Sequence, residues 1–369
     1  VSGPRVGIDA LALRTGGGVT WLAHLVPALA DAWPAATLYV LARPEVLAAA
    51  DGDGGLASRR VVATAREAPA GAWRVPVERR VVPRWARAAA LDVALVAAEA
   101  GPTRMPCPFV QVAHNAKIAT ARGLRYALLR RAARATARHA AATVFVSAAH
   151  RAVAGPVLGP RRAVVIPHGV VPPPPGPFAR PLADPYVLVV ATGYAHKDLG
   201  TALAAVLALR AAGRRERLAW VGAPVDARGA ADLRRAAAAD PDALVAVGAV
   251  APAALEAWYA HAAALLLPSR EESSGMPVAE GLARGVPVVA SDLPALVETA
   301  GGAASHHAVG DVADATRRLA QVLSCPGDTS ARLESGRAWA ATRTWAAAAR
   351  RYRLVLEECL VHATGPAAR

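Results

Sequence analysis

The sequence is poor in several residue types at once, and each shortage excludes something. Cysteine occurs three times in 369 residues, as Cys107, Cys325 and Cys359. They stand far apart and match no metal-binding or thiol-redox spacing, which fits a reducing cytoplasm rather than a disulfide-stapled fold. No leader-like stretch opens the sequence, and no uninterrupted apolar run reaches the ~18 residues of a spanning helix. The expectation is therefore a soluble, cytoplasmic protein, or one peripheral to a membrane. Aromatic residues make up only 5%, so Ala, Val and Leu must build the core. Few rings lie among the arginines to stack on bases, which weighs against a nucleic-acid module despite the net charge of +14. No Asp-x-Asp metal motif sits at a suitable strand end, and no short-period repeat is visible.

What is present is apolar and regularly alternating. Hydrophobic residues make up 54% of a chain too long for one ordinary core, so two well-packed domains are expected. In the first, 1–171, Val6 to Ala10 reads as a buried strand, Gly16-Gly17-Gly18 follows, and Leu22, Leu25 and Leu29 then recur at helical spacing. Strand, glycine loop and helix make the geometry in which backbone N–H groups approach a phosphate. A flexible loop without a ligand fits three glycines equally well. Further strands are read at 37–42, 61–63, 92–97, 109–113 and 143–147. The strand at 109–113 ends in His114 and Asn115, at the edge where open α/β sheets bind ligands. A histidine in that place serves structure more often than catalysis.

Residues 121–140 read as a basic helix, with Arg130, Arg134 and Arg138 on one stripe and Leu124 and Leu128 on another face. A solvated surface face explains it, and contact with an anionic lipid surface is the sharper alternative. Residues 172–185 contain seven prolines and read as a linker. The strand–helix pattern restarts at Tyr186 and continues to 349 as a second domain. A terminal helix at about 350–369 is expected to pack back on the first. The fold class is α/β, with two doubly wound, Rossmann-like domains facing across a cleft.

The most informative stretch is 268–291. An acidic loop runs through Ser274 and Gly275 into Pro277, expected at the first position of a short helix that ends near Arg284 and Gly285. Glu272 and Glu280 frame this helix start with seven residues between them. A helix N-terminus offers unpaired N–H groups to an anion, and flanking carboxylates accept hydrogen bonds from sugar hydroxyls. An acidic surface loop before an amphipathic helix fits the same local chemistry.

The order of these pieces is more specific than any one of them. With GVPVVASD at 285–292, TVFVSAAH at 143–150, VIPHGV at 165–170 and VGAVAPAALEAWYAHAAALLLPS at 247–269, the chain resembles the family 4 glycosyltransferases. That large retaining family has the GT-B fold, and its hallmark is the Glu-x7-Glu stretch. The resemblance implies a nucleotide diphosphate sugar as donor substrate, no cofactor and no metal. It gives Glu280 to the nucleotide ribose and Glu272 to the transferred sugar. The backbone of Ser274, Gly275 and Met276 would hold sugar and diphosphate. Lys197, in GYAHKD, would neutralise the departing diphosphate. His114 would lie near the sugar, Gly16 to Gly18 would close on the diphosphate, and Gly248 to Val250 would lie against the base. Thr192 stands where many members carry an arginine, leaving one cation fewer for the leaving group. His168 replaces a commoner asparagine, which is expected to matter little.

The expected reaction moves a hexosyl unit from a UDP- or GDP-linked sugar to a hydroxyl or amine acceptor, with retention. A small natural product or a glycan is the expected acceptor. A peripheral membrane enzyme with a lipid-linked acceptor and a non-catalytic nucleotide-sugar binding protein are the alternatives. The latter is disfavoured because Lys197, Glu272 and Glu280 are all present.

Overall fold

The computed structural model describes residues 3–14, 16–52, 56, 60–69, 73–223, 238, 240–324 and 326–364. Cys325 lies outside them. The chain forms two compact units, Val1–Gly169 together with Thr344–Arg369, and Val170–Arg343.

Unit 1 is built on β1 (Arg5–Asp9), β2 (Thr37–Ala42), β3 (Val61–Ala65), β4 (Val93–Val96), β5 (Phe109–Ala113), β6 (Ala142–Phe145) and β7 (Ala163–Val165). These strands form one parallel seven-stranded sheet in the order β3-β2-β1-β4-β5-β6-β7. Its helices are α1 (Gly17–Ala32), α2 (Pro44–Asp51), α3 (Arg74–Ala88), α4 (Lys117–Thr120), α5 (Leu124–His139) and α6 (Ala148–Leu158). Strands β4, β5 and β6 are buried along their whole length, as strands are when helices cover both faces of a parallel sheet; the two polar side chains among them, Gln111 and Thr143, bond to each other at 2.9 Å.

Unit 2 contains β8 (Tyr186–Val190), β9 (Arg217–Val221), β10 (Leu244–Gly248), β11 (Ala264–Leu267), β12 (Val288–Ser291) and β13 (Ser305–His307). They form a parallel six-stranded sheet in the order β10-β9-β8-β11-β12-β13. Around it lie α7 (Leu199–Ala211), α8 (Pro252–Ala260), α9 (Met276–Ala283), α10 (Pro294–Ala300), α11 (Val312–Ser324) and α12 (Pro326–Thr342). One face buries Leu188, Leu265, Val278 and Leu282, the other Val189, Leu203, Val206 and Leu266. The proline-rich stretch belongs to this unit, where Leu182 packs on the core and His261 Nε2 meets the Phe178 carbonyl at 2.7 Å.

The last helix, α13 (Trp345–Thr364), belongs to unit 1. Tyr352, Val355, Leu356 and Cys359 are buried at helical spacing. Trp21 of α1, itself fully buried, donates Nε1–H to the Tyr352 hydroxyl at 3.3 Å. Burying side chains of this size stabilises by roughly 1.5–3 kcal/mol each. The chain returns to unit 1 at Thr344, several residues before the expected position near 350. The Thr344 hydroxyl accepts from the Ala347 N–H at 3.1 Å, and Trp345 stacks on His24 at 5.7 Å. Gly169 permits that approach, because a Cβ there would stand 2.3 Å from the Trp345 nitrogen.

The basic segment is helical over Leu124–His139 and buries Ala133, Thr136 and Ala137. Leu124 and Leu128, which the helical pattern set apart from the arginines, are 79% and 60% exposed. Arg130 and Arg134 bond to the carbonyls of Ala121 and Val157 at 2.6 and 2.9 Å, the second of these at the surface. Short, buried alanines fill the face against the sheet, so the longer leucines are left outside.

Candidate functional site

The sheet of unit 2 reverses direction between β8 and β11. From β8 the chain runs outward through β9 to β10, then crosses to β11 on the other side. Loops leaving the C-terminal ends of two such strands diverge and leave a crevice, the usual ligand position in open α/β sheets. The loop after β8 carries Thr192 and Lys197. The loop after β11 carries Glu272, Ser274 and Gly275.

Two ion pairs lace these loops together. Lys197 Nζ donates to Glu272 Oε1 at 2.6 Å, and the Ser269 hydroxyl donates to the same oxygen at 2.9 Å. In the opposite sense, Arg270 Nε meets Asp198 Oδ2 at 2.8 Å. The Arg270 N–H also donates to the His196 carbonyl at 2.8 Å. Lys197 and Glu272 are partly buried, with side chains 20% and 9% exposed, so their attraction is less screened than that of a surface pair. Asp198 has a positive φ of 50°, which an aspartate tolerates. It ends a short 3-10 helix, Ala195–Lys197, and begins α7 at once. Its second role is to accept from the Thr201 hydroxyl at 2.8 Å. Thr192 supplies no charge; the guanidinium of Arg270 reaches this loop instead, ion-paired to Asp198, the residue after Lys197.

Helix α9 starts at Met276, so Pro277 takes the second helical position and not the first. Gly275 caps it with φ +71°, and a Cβ there would lie 2.2 Å from Leu296 Cδ2, so only glycine fits. The Met276 N–H, at the first helical position, has no intrahelical acceptor and belongs to the positive end of the helix dipole. Ser274 is buried, and its carbonyl accepts from the Thr299 hydroxyl. The helix N-terminus is thereby fixed next to Glu272.

Glu280 lies one turn into α9. Its Oε2 accepts from the Tyr259 hydroxyl of α8 at 2.7 Å. Burial raises the carboxyl above its ordinary range, opposed by the Tyr259 hydrogen bond and the Arg284 charge. Arg284 in turn lies over the Tyr259 ring at 4.9 Å and forks onto Glu256. Gly248 ends β10 with φ +82°, its carbonyl accepting from Gly222 N–H at 2.8 Å. Val250, in the loop that follows, packs against the core of unit 2.

In unit 1, Gly16 caps α1 with φ +65°, while Gly17 and Gly18 already belong to the first helical turn. The expected glycine loop is therefore shorter than the run of glycines. His114 follows β5, its ring edge-on to Trp21 at 5.0 Å and stacked on His168 at 5.7 Å. Burial, then the neighbouring His168 and His150, hold its pKa well below the ordinary value, so the imidazole is neutral at pH 7. His168 was expected to matter little, yet its ring lies against both His114 and Trp345. Glu99 Oε1 accepts the backbone N–H groups of His114 and Asn115 at 2.8 and 2.7 Å. Gln111 ties Glu99 to the sheet, donating to its carbonyl at 2.6 Å and accepting from Thr143 at 2.9 Å. Neither Glu99 nor Gln111 belongs to a motif, so sequence gave no sign of them.

The reversal point of this sheet lies between β1 and β4. Asp9, at the end of β1, and Glu78 of α3 are buried beside one another, and Arg74 pairs with Glu78 at 3.0 Å. Desolvation raises both carboxyls, that of Glu78 further because Asp9 stands near it. Among the described residues, no three His, Cys, Asp or Glu side chains gather so as to hold a metal ion.

Residues 184–324 match the family model described as Glycosyl transferases group 1. No curated protein matches the sequence. Solved structures match over nearly the whole chain. Sucrose-phosphate synthase from Thermosynechococcus elongatus is similar at 16% identity and a TM-score of 0.78, covering 97% of this chain and 100% of that one. HepE of Anabaena, in complex with UDP and glucose, is similar at 14% identity and a TM-score of 0.74, covering 96% and 100%. AviGT4, a glycosyltransferase involved in avilamycin A biosynthesis, is similar at 19% identity and a TM-score of 0.61, covering 97% and 98%.

Proposed function

We propose that this chain, whose residues 184–324 match the group 1 glycosyltransferase model and whose fold is GT-B, is a glycosyltransferase that carries out a retaining transfer of a hexosyl unit from a UDP- or GDP-linked sugar. The acceptor is a hydroxyl or amine, on a small natural product in the reading we favour. One observation carries the donor assignment: Lys197, Glu272 and the glycine-capped start of α9 converge where the sheet of unit 2 reverses.

Each group has a physical task. The diphosphate leaves with developing negative charge, which the Lys197 ammonium, the α9 N-terminus and the adjacent Arg270 stabilise. Glu272 accepts hydrogen bonds from sugar hydroxyls beside the reacting carbon, and Glu280 accepts from the ribose. The bond from the anomeric carbon to the phosphate oxygen breaks, and a bond to the acceptor oxygen or nitrogen forms on the same face. The acceptor proton passes to the leaving phosphate. Glu272 and Glu280 serve different parts of the donor, so the double displacement of paired carboxylates in retaining hydrolases does not apply. The neighbour bound to UDP and glucose, and the one that works in avilamycin A biosynthesis, support this choice of donor and acceptor.

A thermal-shift screen of UDP-, GDP- and dTDP-sugars tests the donor. A ligand at 100 times its Kd stabilises the folded state by about 2.7 kcal/mol, so one nucleotide class should raise Tm by several degrees. No shift with any of the three would remove the assignment.

The exposed leucines of α5 favour a second reading, in which the same enzyme docks on an anionic membrane. Arg125 and Arg131 are exposed along with Leu124 and Leu128, an arrangement suited to lipid headgroups and acyl chains together. The protein should then co-sediment with phosphatidylserine vesicles at low salt and be released in part at high salt. Equal recovery with neutral vesicles, or none with either, would discard the docking. Among the described residues, no helix is long and apolar enough to cross a membrane.

A further inference from the structure

Tyr259 is buried to 1% exposure, yet it carries a hydroxyl, and that hydroxyl is aimed at Glu280 Oε2 at 2.7 Å. A phenol so placed is costly unless its hydrogen bond is made. Its position is fixed from three sides. The Arg284 guanidinium lies over its ring at 4.9 Å and is held by the Glu256 carboxylate. Glu256 and Tyr259 lie three residues apart on α8, and Glu280 of α9 lies four before Arg284, the residue that caps that helix at its C-terminal end. The neighbouring Trp258 carbonyl accepts from the Tyr186 hydroxyl of β8 at 2.8 Å, pinning α8 to the sheet.

We infer that Tyr259 is the positioning residue for nucleotide recognition: its hydroxyl fixes the Glu280 carboxylate so that the remaining acceptor sites meet the two ribose hydroxyls together. The inference rests on the assignment of Glu280 to ribose and adds to it a residue outside the Glu-x7-Glu motif. A carboxylate has about four lone-pair sites. Tyr259 occupies one of them on Oε2, and Oε1 takes no hydrogen bond from any described residue. A vicinal diol, with its two hydroxyls on adjacent carbons, matches the two oxygens of one oriented carboxylate. A carboxylate free to rotate about its last bond would lose that match and the entropy of fixing it.

The hydrogen bond has an electrostatic side too. Glu280 must be ionised to accept from both hydroxyls, and burial opposes ionisation. The donated O–H favours the charged form. Removing it moves the carboxyl further up, so nucleotide affinity should fall away on acidification from a higher pH.

The test is calorimetric titration of the full chain with UDP and GDP, each beside its 2′,3′-dideoxy analogue. The wild type should bind the ribonucleotide about tenfold or more tightly than the dideoxy form, as two hydrogen bonds to a charged acceptor warrant. Tyr259→Phe keeps the ring and its packing. It should lose about three- to tenfold for the ribonucleotide and nothing for the analogue, and its affinity should decline from a higher pH. Glu280→Gln should abolish the preference altogether. If Tyr259→Phe weakens both ligands equally, or neither, the phenol is structural and the inference fails alone. If Glu280→Gln retains the preference, the ribose assignment fails and takes the inference with it.

Discussion

Lys197→Ala should lower turnover by about 10²- to 10³-fold, the usual loss when one charge-stabilising group is removed from a preorganised site. Release of the nucleoside diphosphate from whichever donor the thermal-shift screen selects measures it. The ammonium is held at 2.6 Å from Glu272 in the free protein, so it already stands at the site when a donor arrives. Nucleotide affinity should fall much less than turnover. Arg270 stays beside the vacated position, ion-paired to Asp198, and the α9 N-terminus is unchanged. Charge on the diphosphate grows as the sugar departs, so the lost stabilisation is larger in the transition state than in the bound donor. Equal losses in affinity and turnover would reassign Lys197 to ground-state binding.

Glu272→Ala should separate the two quantities more sharply. Turnover should drop by about 10- to 100-fold, because hydrogen bonds from sugar hydroxyls to a charged acceptor are lost beside the reacting carbon. Affinity for UDP alone should hold or improve. In the free protein Glu272 competes for the Lys197 ammonium, and its removal frees that cation for a phosphate. The residual pairing of Arg270 with Asp198 and the His196 carbonyl keeps the two loops together, so the variant should fold. A loss of UDP affinity matching the loss of turnover would show Glu272 to be a scaffold for Lys197 and not a sugar ligand.

Much of this arrangement was legible before any tertiary information. Continuous apolar runs such as Ala264 to Leu267 and Val93 to Val96 mark strands buried on both faces. Glycine at 275 marks a backbone turn closed to other residues, and the sequence places it directly before a helix. The readings that shifted did so for identifiable reasons. Gly17 and Gly18 read as loop because glycine has low helix propensity, yet they sit in the first turn of a helix that the buried Trp21 and Leu22 of its second turn anchor. Helix α3 has no clear apolar period in the sequence, because Pro83 and five arginines interrupt it. Strand β13, Ser305-His306-His307, is too short and polar to announce itself, and it forms because β12 offers an open edge.

The sequence alone determined the alternation of strands and helices, the two Rossmann-like halves and the carboxylates that frame α9, because periodicity and backbone restriction act locally. Tertiary structure alone decided which charges meet. Lys197 and Glu272 are 75 residues apart, and Tyr259 and Glu280 are 21 apart. No local rule couples such positions. The crossing from β10 back to β11 does, by setting the loops after β8 and β11 side by side at the reversal of the sheet. Arg270 meets Asp198 for that reason, and Tyr259 acquires its carboxylate because α8 and α9 pack on the same face of that sheet.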